Sequence, residues 1–132
     1  LWGNLSFSPF SALTHSTLVD ICQFPLSRAL AASMMHEAEA VATRLGISFR
    51  VTLEKRIAGA EKVGKHKTSM LQDVESGRDP EIDALVGAVI ELGKITAVPT
   101  PHIETVYALM KLLSVRINDD KLAVRAQPMV AA

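Results

Sequence analysis

Two side chains that could bind a ligand stand in one polar block, HKTSMLQDVESGRDPEID, which covers residues 66–83. The hydroxyl of Ser69 can donate and accept hydrogen bonds, and the carboxylate of Glu81 can accept them. Each side chain also has a structural explanation. Ser69 lies near a helix start and can satisfy local backbone groups, while Glu81, with Asp79 and Asp83, can stabilise the positive end of a helix dipole. The residues alone favour the structural explanation over the functional one.

A second polar set lies in the first segment, where three residues recur at helical spacing among large apolar ones: Asn4, Ser8 and Ser11. On a helix they form a polar seam along one face. Polar groups in an apolar setting need hydrogen-bonding partners, which can be protein, water or a ligand. Bonding to a neighbouring helix is the structural alternative to ligand binding.

The sequence argues against two familiar nucleotide sites. Residues 59–65 read GAEKVGK, like the beginning of a phosphate-binding loop, but His66 stands where a magnesium-binding Ser or Thr is needed. The preceding LEKRIA is typical of a helix, whereas that loop must follow a buried strand. The chain also lacks G-x-G-x-x-G, so we do not expect it to hold a dinucleotide by the usual strand-turn-helix device.

The histidines do not indicate a metal site. They are scattered along the chain and no H-E-x-x-H occurs, so we predict no metal and interpret each as a surface or helix-packing residue: His15, His36, His66 and His102. His66 and Ser69 would lie one turn apart on a helix. Without a positioned acid or an elbow turn, however, the pair does not predict a nucleophilic serine.

Composition limits the class of protein further. A chain of 132 residues is one domain of ordinary size. Lys plus Arg and Asp plus Glu are 14 each, so the basic excess of a nucleic-acid partner is missing. The single Cys22 excludes an intrachain disulfide and fits the cytoplasm. No apolar run reaches the ~20 residues that span a membrane. The chain begins at Leu1, which we expect to lie inside an element of a longer protein.

The elements that position these residues are predicted to be helices. Apolar residues recur at helical spacing over residues 25–45, 52–63, 67–76, 80–95 and 101–113, with a short helical piece before Pro25. Pro25 and Gly46 suit the start and end of the longest of these. Asp79 suits the N-cap of the helix that Pro80 opens. Pro9 should kink or break a helix in the first segment.

These patterns predict an all-α fold, a compact bundle of roughly six helices. The helical domain is predicted to cover residues 1–115, and residues 116–132 are predicted to form a loosely ordered tail. Period-two alternation, which would indicate strands, is not convincing anywhere in the chain.

Three strings resemble the C-terminal helical domain of the ketopantoate reductases (2-dehydropantoate 2-reductases): LWGNLSFSPFSALT, KTSMLQDVESGRDPEIDALVGAVIELG and AVPTP. The resemblance implies the 6-phosphogluconate dehydrogenase C-terminal-like fold and an N-terminal Rossmann domain that is absent from this chain. It also implies a substrate cleft between the two domains. The implied activity is the NADPH-dependent reduction of 2-dehydropantoate to pantoate, on the way to pantothenate and coenzyme A.

The resemblance also implies residue roles. In the family's Lys-x-x-x-Asn-x-x-x-Asn-Pro motif, the middle Asn matches Asn4 and the Pro matches Pro9, whereas Ser8 replaces the last Asn. The proton-donating Lys would immediately precede Leu1, so no catalytic residue is expected in this chain. The implied substrate-binding residues are Asn4, Ser8, Ser69 and Glu81. Glu81 would also face the NADPH, which the missing domain would mainly bind.

Three functions remain open at this point. The chain can be the substrate-binding half of a ketopantoate reductase, inactive by itself, or part of a reductase of another 2-oxo acid. Ser8 favours the latter, because serine makes fewer hydrogen bonds than asparagine and leaves more room. The third is a stand-alone helical dimerisation module without catalysis. We also expect a homodimer through the helical domain, formed by apolar residues that lose their cover, among them Trp2, Phe7 and Phe10.

Overall fold

The computed structural model describes residues 4–130. Its helices are α1 (Asn4–Thr14), α2 (Leu18–Gln23), α3 (Pro25–Arg44), α4 (Leu53–Val63), α5 (Ser69–Glu75), α6 (Ala88–Thr96) and α7 (Pro101–Asp120), with a π-helical turn at Asp83–Gly87 before α6. None of the described residues lies in a strand. The prediction of an all-α fold is therefore confirmed, with seven α-helices over residues 4–130 where roughly six were expected. None of these helices is both long enough and apolar enough to cross a bilayer.

Helix α1 occupies the centre of the bundle. It contacts α2, α3, α5 and α7, and every residue from 5 to 12 is buried. The predicted break at Pro9 does not occur, because the helix continues through it. Burial of nearly the whole helix offsets the roughly 3 kcal/mol that an interior proline costs.

The central position of α1 also decides where two aromatic side chains lie. Phe7 and Phe10 are only 3% and 5% exposed and belong to the hydrophobic core. The prediction that they lie exposed and form a homodimer contact is therefore wrong for these two residues, because the helices around α1 already cover them. Trp2, the third residue of that prediction, lies outside the described residues.

Helices α3 and α4 follow their sequence signals. Pro25 is the first residue of α3, and Gly46 follows its end with φ +76°, as an αL glycine should. Thr52 caps α4 by accepting a hydrogen bond from the amide of Lys55. Gly59 lies inside this helix, so residues 59–63 are helical and the rejection of a phosphate-binding loop is confirmed.

The start of α7 is held by a side chain from α3. The N-cap residue of α7 makes no side-chain capping bond. Instead, the carboxylate of Glu37 accepts hydrogen bonds from the amides of His102 and Ile103, each at 3.0 Å. It also lies 2.5 Å from the ring Nδ1 of His102. His102 is thus a helix-packing histidine, and α3 fixes where α7 begins.

Helix α7 runs beyond the predicted limit of the helical region at residue 115. It ends at Asp120, and Lys121 leaves it in a left-handed conformation. Ile117 is 1% exposed, so the last turns still contribute to the core. Arg116 and Asp120 form an ion pair one turn apart at 2.9 Å, which supports the same turns. The predicted tail therefore begins as helix.

Helix α5 is shorter than predicted. Thr68 is its N-cap and accepts a bond from the amide of Leu71, and Gly77 follows its end with φ +74°. His66 precedes the helix, so it does not form the predicted one-turn pair with Ser69. The helix after α5 also starts later than predicted, since residues 79–81 are not helical.

Candidate functional site

Glu81 lies in a tight turn and not on a helix. Its φ is +52°, a left-handed conformation that is uncommon for any residue other than glycine. Its amide donates a hydrogen bond to Oδ1 of Asp79 at 2.9 Å. A side-chain oxygen that accepts from the amide two residues later is an Asx-turn. The prediction that Asp79 caps a helix at Pro80 is therefore wrong, because the Asp79 carboxylate closes this turn instead.

The Asp79 carboxylate also ties the turn to α7. Oδ1 accepts a hydrogen bond from Oγ of Ser114 at 3.0 Å, and Oδ2 accepts one from Nδ2 of Asn118 at 3.0 Å. The bonds from the Glu81 amide, Asn118 and Ser114 stabilise the ionised form and hold the pKa of Asp79 below its ordinary value. The turn that carries Glu81 is thus held to α7 by two hydrogen bonds.

Asp83 forms a second link to α7. Its carboxylate accepts hydrogen bonds from the hydroxyl of Tyr107 and from Nζ of Lys111, the latter at 2.9 Å. The bonds from Tyr107 and Lys111 lower the pKa of Asp83. In return, the hydrogen bond to this carboxylate raises the pKa of Tyr107 and that of Lys111. The three groups form a charged network in which the carboxylate is ionised and the two partners keep their protons.

The partners on α7 were missed by the sequence reasoning. They are spaced at i, i+4, i+7 and i+11 and therefore share one helix face: Tyr107, Lys111, Ser114 and Asn118. This polar stripe lies beside the buried apolar positions of the same helix. Its spacing was visible in the sequence, but nothing local indicated that its partners lie 24 to 39 residues earlier.

A π-helical turn follows the Glu81 turn and leads into α6. The amide of Ala88 donates to the carbonyl of Asp83, five residues earlier. π-helical turns are rare and are frequent at functional sites. A Cβ on Gly87 would lie 3.4 Å from the ring of Tyr107. A side chain at this position would therefore contact Tyr107, the residue that bonds to Asp83.

The Glu81 carboxylate itself remains available. It is exposed, and with residues 4–130 it forms neither a hydrogen bond nor an ion pair. It borders an open cavity of about 360 Å³, whose lining residues are Asp79, Glu81, Ile82, Asp83, Ala84, Lys111 and Ser114. This cavity presents carboxylates, an ammonium and a hydroxyl, so it can bind a polar ligand that carries hydroxyl groups.

The other three predicted site residues lie elsewhere. Asn4 and Ser69 are exposed first residues of α1 and α5, two helices that pack against each other. Ser8 is only 9% exposed, so it presents little surface to a ligand. None of the three lines the cavity beside Glu81. In the part of the chain that the structure describes, the four residues therefore do not form one closed pocket, and their roles stay predictions.

Metal-binding side chains are not grouped either. Among residues 4–130, no three His, Cys, Asp or Glu side chains come together at the spacing that a metal ion needs. The carboxylates of Asp79 and Asp83 have their hydrogen-bonding partners on α7.

Comparison with solved structures places the fold among the helical domains of oxidoreductases. It resembles 2-dehydropantoate 2-reductase from Methylococcus capsulatus, with a TM-score of 0.80 and 36% identity over 86% of this chain and 40% of that one. It also resembles D-mandelate dehydrogenase in complex with NADH and anilino(oxo)acetate, with a TM-score of 0.79 over 89% of this chain and 50% of that one. At 22% identity the second likeness shows the fold alone.

Sequence comparison identifies the family. The model described as "Ketopantoate reductase PanE/ApbA C terminal" matches residues 1–114, so the chain belongs to this family. The predicted resemblance is thereby confirmed. The chain is also 56% identical over 115 residues to a 2-dehydropantoate 2-reductase of Mesorhizobium japonicum, which covers 87% of this chain. The matching segment is 35% of that relative, so the chain spans about a third of its length.

Proposed function

We propose that this chain is the substrate-binding domain of an NADPH-dependent reductase that converts 2-dehydropantoate to pantoate. The observation that carries the proposal is the 56% identity to a 2-dehydropantoate 2-reductase over 115 residues. The family match over residues 1–114 agrees with it. The cofactor and the proton-donating lysine belong to the part of the protein that precedes this chain, and the reaction belongs to the pathway to pantothenate and coenzyme A in the cytoplasm.

The structure supports a ligand-binding role for Glu81 because its carboxylate has no partner among residues 4–130. Of the three acidic residues in the block, Asp79 and Asp83 are bound by side chains of α7. Glu81 precedes the helix, and its carboxylate accepts no bond from residues 4–130. An unpartnered carboxylate on a turn that is bonded to α7 can bind a substrate hydroxyl without first breaking another contact.

The remaining residues would act by binding and orientation. NADPH, when bound, supplies the hydride that reduces the substrate carbonyl. The exposed Asn4 and Ser69 would donate hydrogen bonds that hold the substrate carbonyl and carboxylate in place, and Ser8 would contribute through the small part of it that is exposed. Glu81 would accept a bond from the substrate hydroxyl and face the cofactor. These residues orient the reactants, while the chemistry comes from outside this chain.

A second candidate is a reductase of a different 2-oxo acid. Ser8 favours it, because the family motif has an asparagine at this position. Serine makes fewer hydrogen bonds than asparagine and is smaller, so it would alter substrate preference. Ser8 is nearly buried, which points to an altered shape of the site and not to a lost direct contact.

The test is NADPH oxidation by the full-length product of the gene that encodes this chain. Ketopantoate should be turned over at a higher kcat/KM than 2-oxo acids without its hydroxyl group, and the 132-residue chain alone should show no turnover. Turnover by the chain alone would refute the assignment of cofactor binding to a preceding domain. A preference for another 2-oxo acid would select the second candidate. If no 2-oxo acid is turned over, the hypothesis that remains is a helical module without catalysis.

A homodimer through this domain also remains a proposal. Its contact surface would have to exclude Phe7 and Phe10, which are buried. Apolar residues that are exposed on α7 are one alternative, since Leu109 and Leu112 are 51% and 60% exposed. Light scattering at high concentration measures the assembly, and a monomer would refute the proposal.

A further inference from the structure

We infer that Asp79 is a positioning residue for Glu81: its carboxylate holds the Glu81 turn in the one conformation that presents the Glu81 side chain to the cavity. The inference rests on the function proposed above and extends it to a residue that has no implied role in the family resemblance. Asp79 lines the same cavity, but its carboxylate is already engaged by hydrogen bonds from Glu81, Ser114 and Asn118. It acts through the backbone of Glu81, which it bonds directly at 2.9 Å.

The first observation is the conformation of Glu81. A left-handed conformation is unfavourable for a residue that has a Cβ, and Glu81 adopts it with φ +52°. Such conformations persist where the surroundings fix them. Pro80 supplies a fixed φ of its own, and Asp79 supplies the acceptor for the Glu81 amide. Without that acceptor, the turn would lose the hydrogen bond that closes it.

The second observation is that the acceptor is itself bonded to a second element. Ser114 and Asn118 each donate a hydrogen bond to Asp79 at 3.0 Å. Both are on α7, whose start is held in turn by Glu37 of α3. The Asp79 carboxylate therefore connects the Glu81 turn to the rigid part of the bundle. Neither serine nor alanine at residue 79 could make all three bonds. Alanine has no polar side-chain atom, and serine has one, whereas Asp and Asn each have two at this distance from the backbone.

The choice of variants separates turn geometry from charge. Asp79→Ala removes every bond of the turn. Asp79→Asn keeps an oxygen that accepts from Glu81 and Ser114, and its amide group can donate to Asn118 once the Asn118 amide rotates. If Asp79 acts by geometry, the Asn variant should keep most of the activity and the Ala variant should not. An Asn variant as impaired as the Ala variant would overturn the inference.

The decisive measurement is a double-mutant cycle on the full-length protein. Asp79→Ala should lower kcat/KM for ketopantoate by about three- to thirtyfold, which lies within the range that coupling between contacting residues produces. In the background of Glu81→Gln, the same change should have little further effect, because Asp79 acts only through Glu81. Two independent, multiplying losses would overturn the inference, as would unchanged kinetics together with a lower Tm, the result expected of a residue that only stabilises the fold.

Two further measurements keep the result interpretable. If Asp79→Ala does not fold, Ser114→Ala and Asn118→Ala remove one anchor each and should cause smaller losses of kcat/KM that also vanish in the Glu81→Gln background.

If the wild-type protein does not reduce ketopantoate, the proposed function fails. Hydrogen exchange of the Glu81 amide then decides the positioning alone: faster exchange in Asp79→Ala than in Asp79→Asn supports it, and equal exchange in wild type and both variants overturns it.

Discussion

Replacement of Glu81 by glutamine tests the site most directly. Glutamine keeps the shape of the side chain and one acceptor oxygen but removes the charge. The carboxylate is exposed and makes no bond with residues 4–130. Its removal should therefore change the free energy of unfolding by no more than about 0.5 kcal/mol, as is usual for surface substitutions. If Glu81→Gln changes kcat/KM by more than this small loss of stability explains, the carboxylate contacts a ligand.

The expected kinetic effect follows from the bond that glutamine weakens. A hydrogen bond to a charged group contributes about 1.5–3 kcal/mol. If Glu81 accepts such a bond from the substrate hydroxyl in the transition state, Glu81→Gln should lower kcat/KM for ketopantoate about ten- to a hundredfold, with Tm nearly unchanged. The assay is NADPH oxidation by the full-length protein, with the Tm of each variant measured in parallel.

The control must be a carboxylate that is exposed and unpartnered but distant from the cavity. Asp83 is unsuitable, because it bonds to Tyr107 and Lys111 and its substitution would disturb the site. Glu91 on α6 is exposed, makes no bond with the described residues and does not line the cavity. Glu91→Gln should leave both kcat/KM and Tm unchanged. Equal, small kinetic effects at Glu81 and Glu91 would refute the substrate contact.

Two further predictions concern the stability of the helical domain. In Gly93→Ala the new Cβ would lie 3.0 Å from a backbone carbonyl oxygen. The domain should be destabilised by about 1 kcal/mol in urea unfolding, because this overpacking outweighs the advantage of alanine over glycine within a helix. Gly59→Ala should stabilise the domain by about 0.5–1 kcal/mol, since nothing lies within 4 Å of the added Cβ. A lower free energy of unfolding for Gly59→Ala, or a higher one for Gly93→Ala, would contradict this packing. The pKa of Asp83 is lowered below 3.8 by its bonds from Tyr107 and Lys111, so its contribution to stability should be complete above about pH 4 and lost as pH falls through the lowered pKa. Asp83→Asn should make the free energy of unfolding fall less steeply as the pH is lowered below about 4. An unchanged pH dependence would contradict the hydrogen-bonded network of Asp83.

Elements with strong local signals could be predicted from the sequence. Pro25 at the start of α3 and the glycine after its end are both where the pattern placed them. The N-terminal signal of α4 at Thr52 is equally local. In these helices the capping and turn residues agree with the apolar periodicity, so local preference and tertiary packing favour the same boundaries.

The boundaries that failed are those where a distant residue decides. Asp79 before Pro80 has the local pattern of a helix N-cap, yet its carboxylate bonds to Ser114 and Asn118, 35 and 39 residues later. The end of α7 was placed too early because its apolar pattern fades, while Ile117 continues into the core. Pro9 is the opposite case, in which burial overrides a local breaker.

The candidate site could be predicted only in part for the same reason. Family resemblance named Glu81 as a ligand-binding residue, but local physics favoured a helix-dipole role for it. The predicted dipole role placed Glu81 in the first turn of a helix that begins at Pro80, whereas the helical residues begin at Ile82. Glu81 lies directly before them in a left-handed turn, and two side chains of α7 bind the Asp79 carboxylate that closes this turn. The polar face of α7 therefore contributes to the position of Glu81, although no residue of α7 occurs in the block that first drew attention to it.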